Sequence, residues 1–156
     1  MKSTKEIIQR LRDWLYSHDR LYYLYSFIRK FKDKQYFLET KESVPNTNIE
    51  DFKVFTDIAK LGVECENAET YVYVWALIES YYVQDGRLVS NSGSSMPYKF
   101  IIKNDEIIDY KFPRDGSEYP KSLKEIFPNN IRKKLDHSLV DNDNIKKQVE
   151  EHYSYL

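Results

Sequence analysis

From Tyr71 to Tyr82, apolar side chains occupy both parities of the chain. In an extended conformation Val72, Val74, Ala76 and Ile78 would lie on one face, and Tyr71, Tyr73, Trp75, Leu77 and Tyr81 on the other. A strand that is apolar on both faces has to be covered on both. This segment is therefore expected at the centre of a sheet packed between two layers.

The flanking segments support that sheet. Ahead of it, Ala59, Leu61, Val63 and Cys65 alternate with Lys60, Gly62, Glu64 and Glu66, which reads as a half-buried antiparallel strand starting near Phe55. Glu66 to Glu69 reads as a turn, as does Asp85-Gly86. Asn91 to Ser95 is small and polar, and reads as a connection. Met96, Tyr98, Phe100 and Ile102 alternate with Lys99 and Lys103 as a third strand. Asn104-Asp105 turns into a fourth over residues 106–112. With no long helix between them, the four strands form a meander over residues 55–112.

Helices bracket the sheet. Ser3 and Glu6 form a capping box ahead of Ile7, Ile8, Leu11, Trp14 and Leu15, and Asp19 caps a second stripe of Leu21, Leu24, Tyr25, Ile28 and Phe31. A loop over 41–48 and a short helical turn at Ile49 to Phe52 follow. After Pro113 to Gly116, Pro120 opens a helix carrying Leu123, Ile126 and Phe127. Pro128 ends it, Asn129-Asn130 begins a short one, and Asp143 caps a last one presenting Ile145, Val149, Tyr153 and Leu156. The expectation is one α+β domain spanning 1–156. Its N-terminal helices (1–34) pack on a four-stranded antiparallel meander of cystatin-like or NTF2-like shape, and short helices follow over 118–156.

Composition narrows the function classes. With 24 basic and 25 acidic side chains the net charge is −1, which disfavours nucleic acid as a partner. The lone cysteine excludes an internal disulfide framework. The longest uncharged apolar run, Thr70 to Ile78, is far short of the ~20 residues of a membrane span. The opening MKSTKEIIQRL lacks the apolar core of an export signal, so a cytoplasmic protein is expected if Met1 is the native start. If an export signal preceded it, an extracytoplasmic, membrane-anchored location is expected instead.

No motif nominates a reaction. His18, His137 and His152 have no partner at metal-ligand spacing and read as surface residues. Cys65 reads as a buried structural thiol. Ser92 to Ser95 matches neither G-x-S-x-G nor S-x-x-K, and Gly86 and Gly93 form no phosphate loop, so neither cofactor nor metal is expected. The unusual feature is fourteen tyrosines. Tyr73, Trp75, Tyr81 and Tyr98 are the candidate ligand contacts, on a concave aromatic face suited to a sugar, a peptide or another amphipathic ligand. The bland alternative is a tyrosine-rich core whose hydroxyls reach its rim.

The stretch 55–135, about half the chain, carries a resemblance. Its carriers are Tyr71-Val72-Tyr73-Val74-Trp75, Tyr81-Tyr82, Ser92 to Pro97, Pro113 to Tyr119, and Ser122 to Pro128. This series resembles an uncharacterised family of small domains from low-GC Gram-positive bacteria such as clostridia and bacilli. Its members look like stand-alone hypothetical proteins, lipoprotein-like proteins or extracytoplasmic pieces of membrane sensors. The resemblance carries no assigned activity and assigns no catalytic residues; the expected function is a non-catalytic binding or interaction module of a Gram-positive bacterium, with an unidentified protein or a small amphipathic ligand as partner. Two other classes compete. One is a small NTF2-like enzyme using Asp57, Glu79 or Asp109 as a buried base; the other is an immunity-type or anti-regulator protein.

Overall fold

The computed structural model describes residues 40, 48–104 and 106–156. The helices expected over 1–34, with their Ser3–Glu6 cap and with His18, and most of the loop expected over 41–48 lie outside them. The described residues form an α+β arrangement: a four-stranded antiparallel sheet followed by helices. The strands are β1 (Glu50–Glu66), β2 (Glu69–Gln84), β3 (Arg87–Lys103) and β4 (Glu106–Lys111), and they lie side by side in chain order. The helices are α1 (Tyr119–Ile126), α2 (Asn129–Arg132) and α3 (Asn142–His152), with 3-10 turns at Gly116–Glu118 and His137–Leu139.

Two of the tight turns have backbones that match their sequences. Asn67 and Ala68 both hold positive φ, as do Asp85 and Gly86. That is the primed geometry whose twist matches paired strands. Pro120 sits in the first turn of α1, where its missing N–H costs nothing. The cap of α3 is Asp141, whose carboxylate accepts from the Asp143 amide, two residues ahead of the expected Asp143 cap.

The sheet is longer than the sequence pattern suggests. Ile49 to Phe52 is not a helical turn; β1 begins at Glu50. Asn91 to Ser95 is not a connection but part of β3, paired with β2 from Gln84↔Arg87 to Thr70↔Ile102. β2 supplies the ladder hydrogen bonds, so low intrinsic strand propensity is overridden. Small polar side chains also pair across it: Ser80 Oγ lies 3.0 Å from Ser92 Oγ, and the Asn91 amide donates to Ser80 Oγ at 2.9 Å.

β2 separates two apolar layers, as its double parity requires. On one face Val54, Val72, Val74, Ala76, Ile78, Tyr98, Phe100 and Ile102 form a single cluster. On the other, the helix face, Phe55, Leu77 and Val83 pack on Ile145, Val149 and Tyr153 around α3. Leu61 and Tyr73 pack on Phe127 and Ile131 at the end of α1 and in α2. Phe127 thus anchors the end of α1 in the core, its ring 5.8 Å from that of Tyr73.

Bulges set which residues share a layer. The β1–β2 register slips between Lys60 and Gly62, which leaves Leu61 with the helix-face cluster and turns Val63 to the other layer. Cys65 therefore leaves the Leu61 side and is exposed rather than buried. The slip also brings the backbone of β1 against α2: a Cβ on Gly62 would lie 2.5 Å from Ile131 Cδ1.

Candidate functional site

The four candidate aromatic contacts do not come together. Tyr73 and Trp75 face the helices but are only 2% and 8% exposed. The Trp75 indole donates to Ser95 Oγ at 2.8 Å, and the Tyr73 hydroxyl points to Glu64 Oε2 at 3.5 Å. Burial, and then the Glu64 charge, push the Tyr73 phenol well above its ordinary range. Tyr81 is half-buried on the same face, edge-on to Phe55 and donating to Glu79 at 3.1 Å. Tyr98 pairs with Val74 and lies on the opposite face, stacked on Phe100 with centroids 5.9 Å apart. Tyr73 packs on the end of α1 and on α2, and Tyr81 packs on the cluster around α3, so neither faces an open groove.

The carboxylates considered as bases are not buried either. Asp57 accepts from the Asp141 amide at 2.7 Å and so holds the start of α3. Glu79 accepts from Tyr81, and Asp109 is exposed. Among the described residues, no group of three or more His, Cys, Asp or Glu is placed to hold a metal. No described helix is long and apolar enough to cross a membrane.

Two clefts lined by described residues open elsewhere. The larger, about 360 Å³, lies between the β3–β4 edge and α1, and is lined by Lys99, Tyr110, Lys111, Phe112, Arg114, Ser122, Glu125 and Ile126. A bulge builds it. The β3–β4 register slips between Ile101 and Ile102, so Lys99 stands directly opposite Lys111. Like charges opposed across a ladder repel. Among the described residues no carboxylate forms an ion pair with either lysine; the ion pairs there belong to Arg114 and His152. Burial lowers the Lys99 pKa and Lys111 lowers it further, against Glu64, Glu66 and Glu69, which raise it. The Lys99 ammonium rests 3.9 Å over the Tyr71 ring.

Arg114 and Ser122 give the rest of the cleft a polar side. The Arg114 guanidinium bonds Glu125 at 3.1 Å and lies 3.5 Å from Glu118. Its backbone is pinned where the Arg114 amide donates to Ser122 Oγ at 3.0 Å, the Ser122 hydroxyl donating in turn to the Tyr119 carbonyl. Tyr110 and Phe112 stack on each other, and Phe112 is exposed.

The second cleft, about 290 Å³, is lined by Lys53, Phe55, Gln148, Glu151 and His152. His152 is half-buried rather than free on the surface. Its Nε2 is 2.8 Å from Asp51 Oδ1 and its Nδ1 is 3.4 Å from Lys53 Nζ. The Tyr155 hydroxyl donates to the other Asp51 oxygen, and the Tyr153 hydroxyl donates to the Asp51 carbonyl at 2.9 Å. A proton on Nε2 would donate to Asp51 and leave Nδ1 to accept from Lys53. This network ties the end of α3 to the start of β1.

The clamp predicts an acid response. Burial raises the Asp51 pKa, but the hydrogen bonds from Tyr155 and His152 and the charges of His152 and Lys53 outweigh it, so the pKa falls below 3.8. A depressed carboxyl contributes stability that is fully present above its unfolded pKa and is lost as pH falls through the folded one. Lowering the pH from 5 to below ~3.8 is expected to reduce the protection of the Val149 and Tyr153 amides, read as exchange relative to the intrinsic rate at each pH, and Asp51→Asn is expected to blunt that change. Equal acid responses in the two proteins would refute the clamp.

Comparison of the chain with family models, with curated proteins and with solved structures finds no match.

Proposed function

We propose that this chain is a non-catalytic binding module whose ligand is a small anion with an apolar body, seated in the cleft between the β3–β4 edge and α1. The observation that carries the reading is the Lys99–Lys111 pair. Two cations held opposite one another, with no ion-pair partner among the described residues and only the longer-range pull of Glu64, Glu66 and Glu69 on Lys99, repel each other, and an anion between them turns that repulsion into attraction. Arg114 adds a planar donor, and half-buried Ile126, packed with the Tyr73 cluster on the same face, offers apolar lining. The cleft volume falls within the range usual for small-molecule sites. The resemblance over 55–135 supports a Gram-positive source, and the unbroken antiparallel meander is what supports a cystatin-like or NTF2-like relation.

Calorimetric titration with phenyl phosphate tests the reading. Binding is expected to weaken with salt and to be absent for benzyl alcohol, which has the ring without the charge. Lys111→Gln is expected to cost about ten- to a hundredfold in affinity, the worth of a charged hydrogen bond. Glu125→Gln removes the nearer of the two carboxylates that compete for Arg114 and is expected to tighten binding. Affinity unchanged in both variants would refute the assignment.

A further inference from the structure

Lys99 is held where an amine can do more than attract charge. It stands on β3 opposite Tyr73 of β2 on one side and Lys111 of β4 on the other. Its amine lies 3.9 Å from the centroid of the Tyr71 ring and 5.9 Å from that of Tyr73. Those rings restrict where the flexible stem can place the nitrogen, so less freedom is lost when it engages a ligand. Burial and the neighbouring ammonium of Lys111 both ease loss of its proton, while Glu64, Glu66, Glu69 and the facing Tyr71 ring favour keeping it. A second cation beside a partly desolvated lysine raises the share of neutral amine available to attack a carbonyl, and the cleft places that amine beside Lys111. Lys111 and Arg114 line the same cleft and supply a seat for an anionic group.

We infer that Lys99 condenses with a small aldehyde or ketone bearing an anionic group, which Lys111 and Arg114 hold while the carbonyl carbon meets the Lys99 amine. This rests on the anion seat proposed above. The neutral amine attacks the carbonyl carbon, forming the C–N bond as the C=O electron pair moves onto oxygen. A proton passes from nitrogen to oxygen through water, giving a carbinolamine. The hydroxyl leaves with a second proton as water, and an imine remains. One water is released and nothing is oxidised or reduced.

Pyridoxal 5′-phosphate is the probe, because it joins an aldehyde, a phosphate and a flat ring. Pyridoxine 5′-phosphate has the same body without the aldehyde. After borohydride reduction and peptide mapping, Lys99 is expected to carry at least about tenfold more label than any other lysine, the discrimination one charged contact provides. Pyridoxine 5′-phosphate is expected to bind and to protect Lys99. Lys99→Arg keeps the charge but forms no imine; it is expected to hold pyridoxine 5′-phosphate and to lose the label. If pyridoxine 5′-phosphate binds while label spreads over the other lysines, the carbonyl chemistry falls and the anion seat stands. If pyridoxine 5′-phosphate neither binds nor protects, the anion seat falls and this inference falls with it. Protection is read on the unmodified chain, so the outcome holds even if Lys99→Arg fails to fold.

Discussion

Trp75→Ala is expected to destabilise the domain by about 3–5 kcal/mol, the range for removing a buried aromatic side chain. Trp75 sits mid-strand on β2, paired with Ala59 on β1 and Pro97 on β3. It is 8% exposed, and neighbouring Tyr73 and Leu77 belong to the clusters under α1–α2 and under α3. Truncation leaves a cavity between those two clusters and frees Ser95 from the indole N–H. Trp75→Phe keeps most of the volume and loses the hydrogen bond, so its cost is expected near 1 kcal/mol. Urea unfolding followed by far-ultraviolet dichroism reads both values. A fully stable Trp75→Ala protein would mean that the indole is not core and would restore the aromatic face as a candidate site.

Gly62→Ala is expected to cost about 1–3 kcal/mol through overpacking. The added methyl meets Ile131 Cδ1 at 2.5 Å, and Ile131 is itself almost fully buried against Leu61, Tyr73 and Phe127. Ile131→Val deletes that same Cδ1 and alone is expected to cost about 0.5–1.5 kcal/mol. Combined, the two changes should cost less than their sum by at least about 0.5 kcal/mol, the coupling typical of residues in contact. Strict additivity would mean that β1 and α2 do not meet at this point.

The central strand, the turns and the helix faces were legible because each follows from a local rule. Tyr71 to Tyr82 reads as central from its two apolar parities, and Asp85-Gly86 is a turn dipeptide wherever it occurs. Pro120, Pro128 and the Ile145–Val149–Tyr153 stripe mark helices without tertiary information. What was not legible depends on register. From a turn at Asn104-Asp105, regular pairing would place Lys99 opposite Tyr110. The bulge at Ile108 moves it to Lys111 and so creates the like-charge pair. A one-residue slip of this kind has no local signature. The same holds for Cys65, moved off the Leu61 face by the bulge at Leu61, and for β3 over Asn91 to Ser95, where a long partner strand overrides weak propensity. In the sequence His152 looks like a surface residue because its partners, Asp51 and Lys53, lie about a hundred residues earlier in the chain.

The aromatic richness that first suggested a ligand groove serves two roles instead. Tyr73 and Trp75 close the helix-face core, and Tyr98, Phe100, Tyr110 and Phe112 form a continuous ring cluster running to the rim of the lysine cleft. The binding surface proposed here is therefore charge placed at a strand edge, with aromatic rings on the far side of the sheet.

Backbone and indole amide shifts recorded by NMR during a phenyl phosphate titration test the central claim most directly. The largest changes are expected at Lys99, Lys111, Arg114 and Ser122, with the Trp75 indole signal and the amides around His152 still. Dominant shifts at the Trp75 indole or at His152, with Lys99 and Lys111 unmoved, would contradict it.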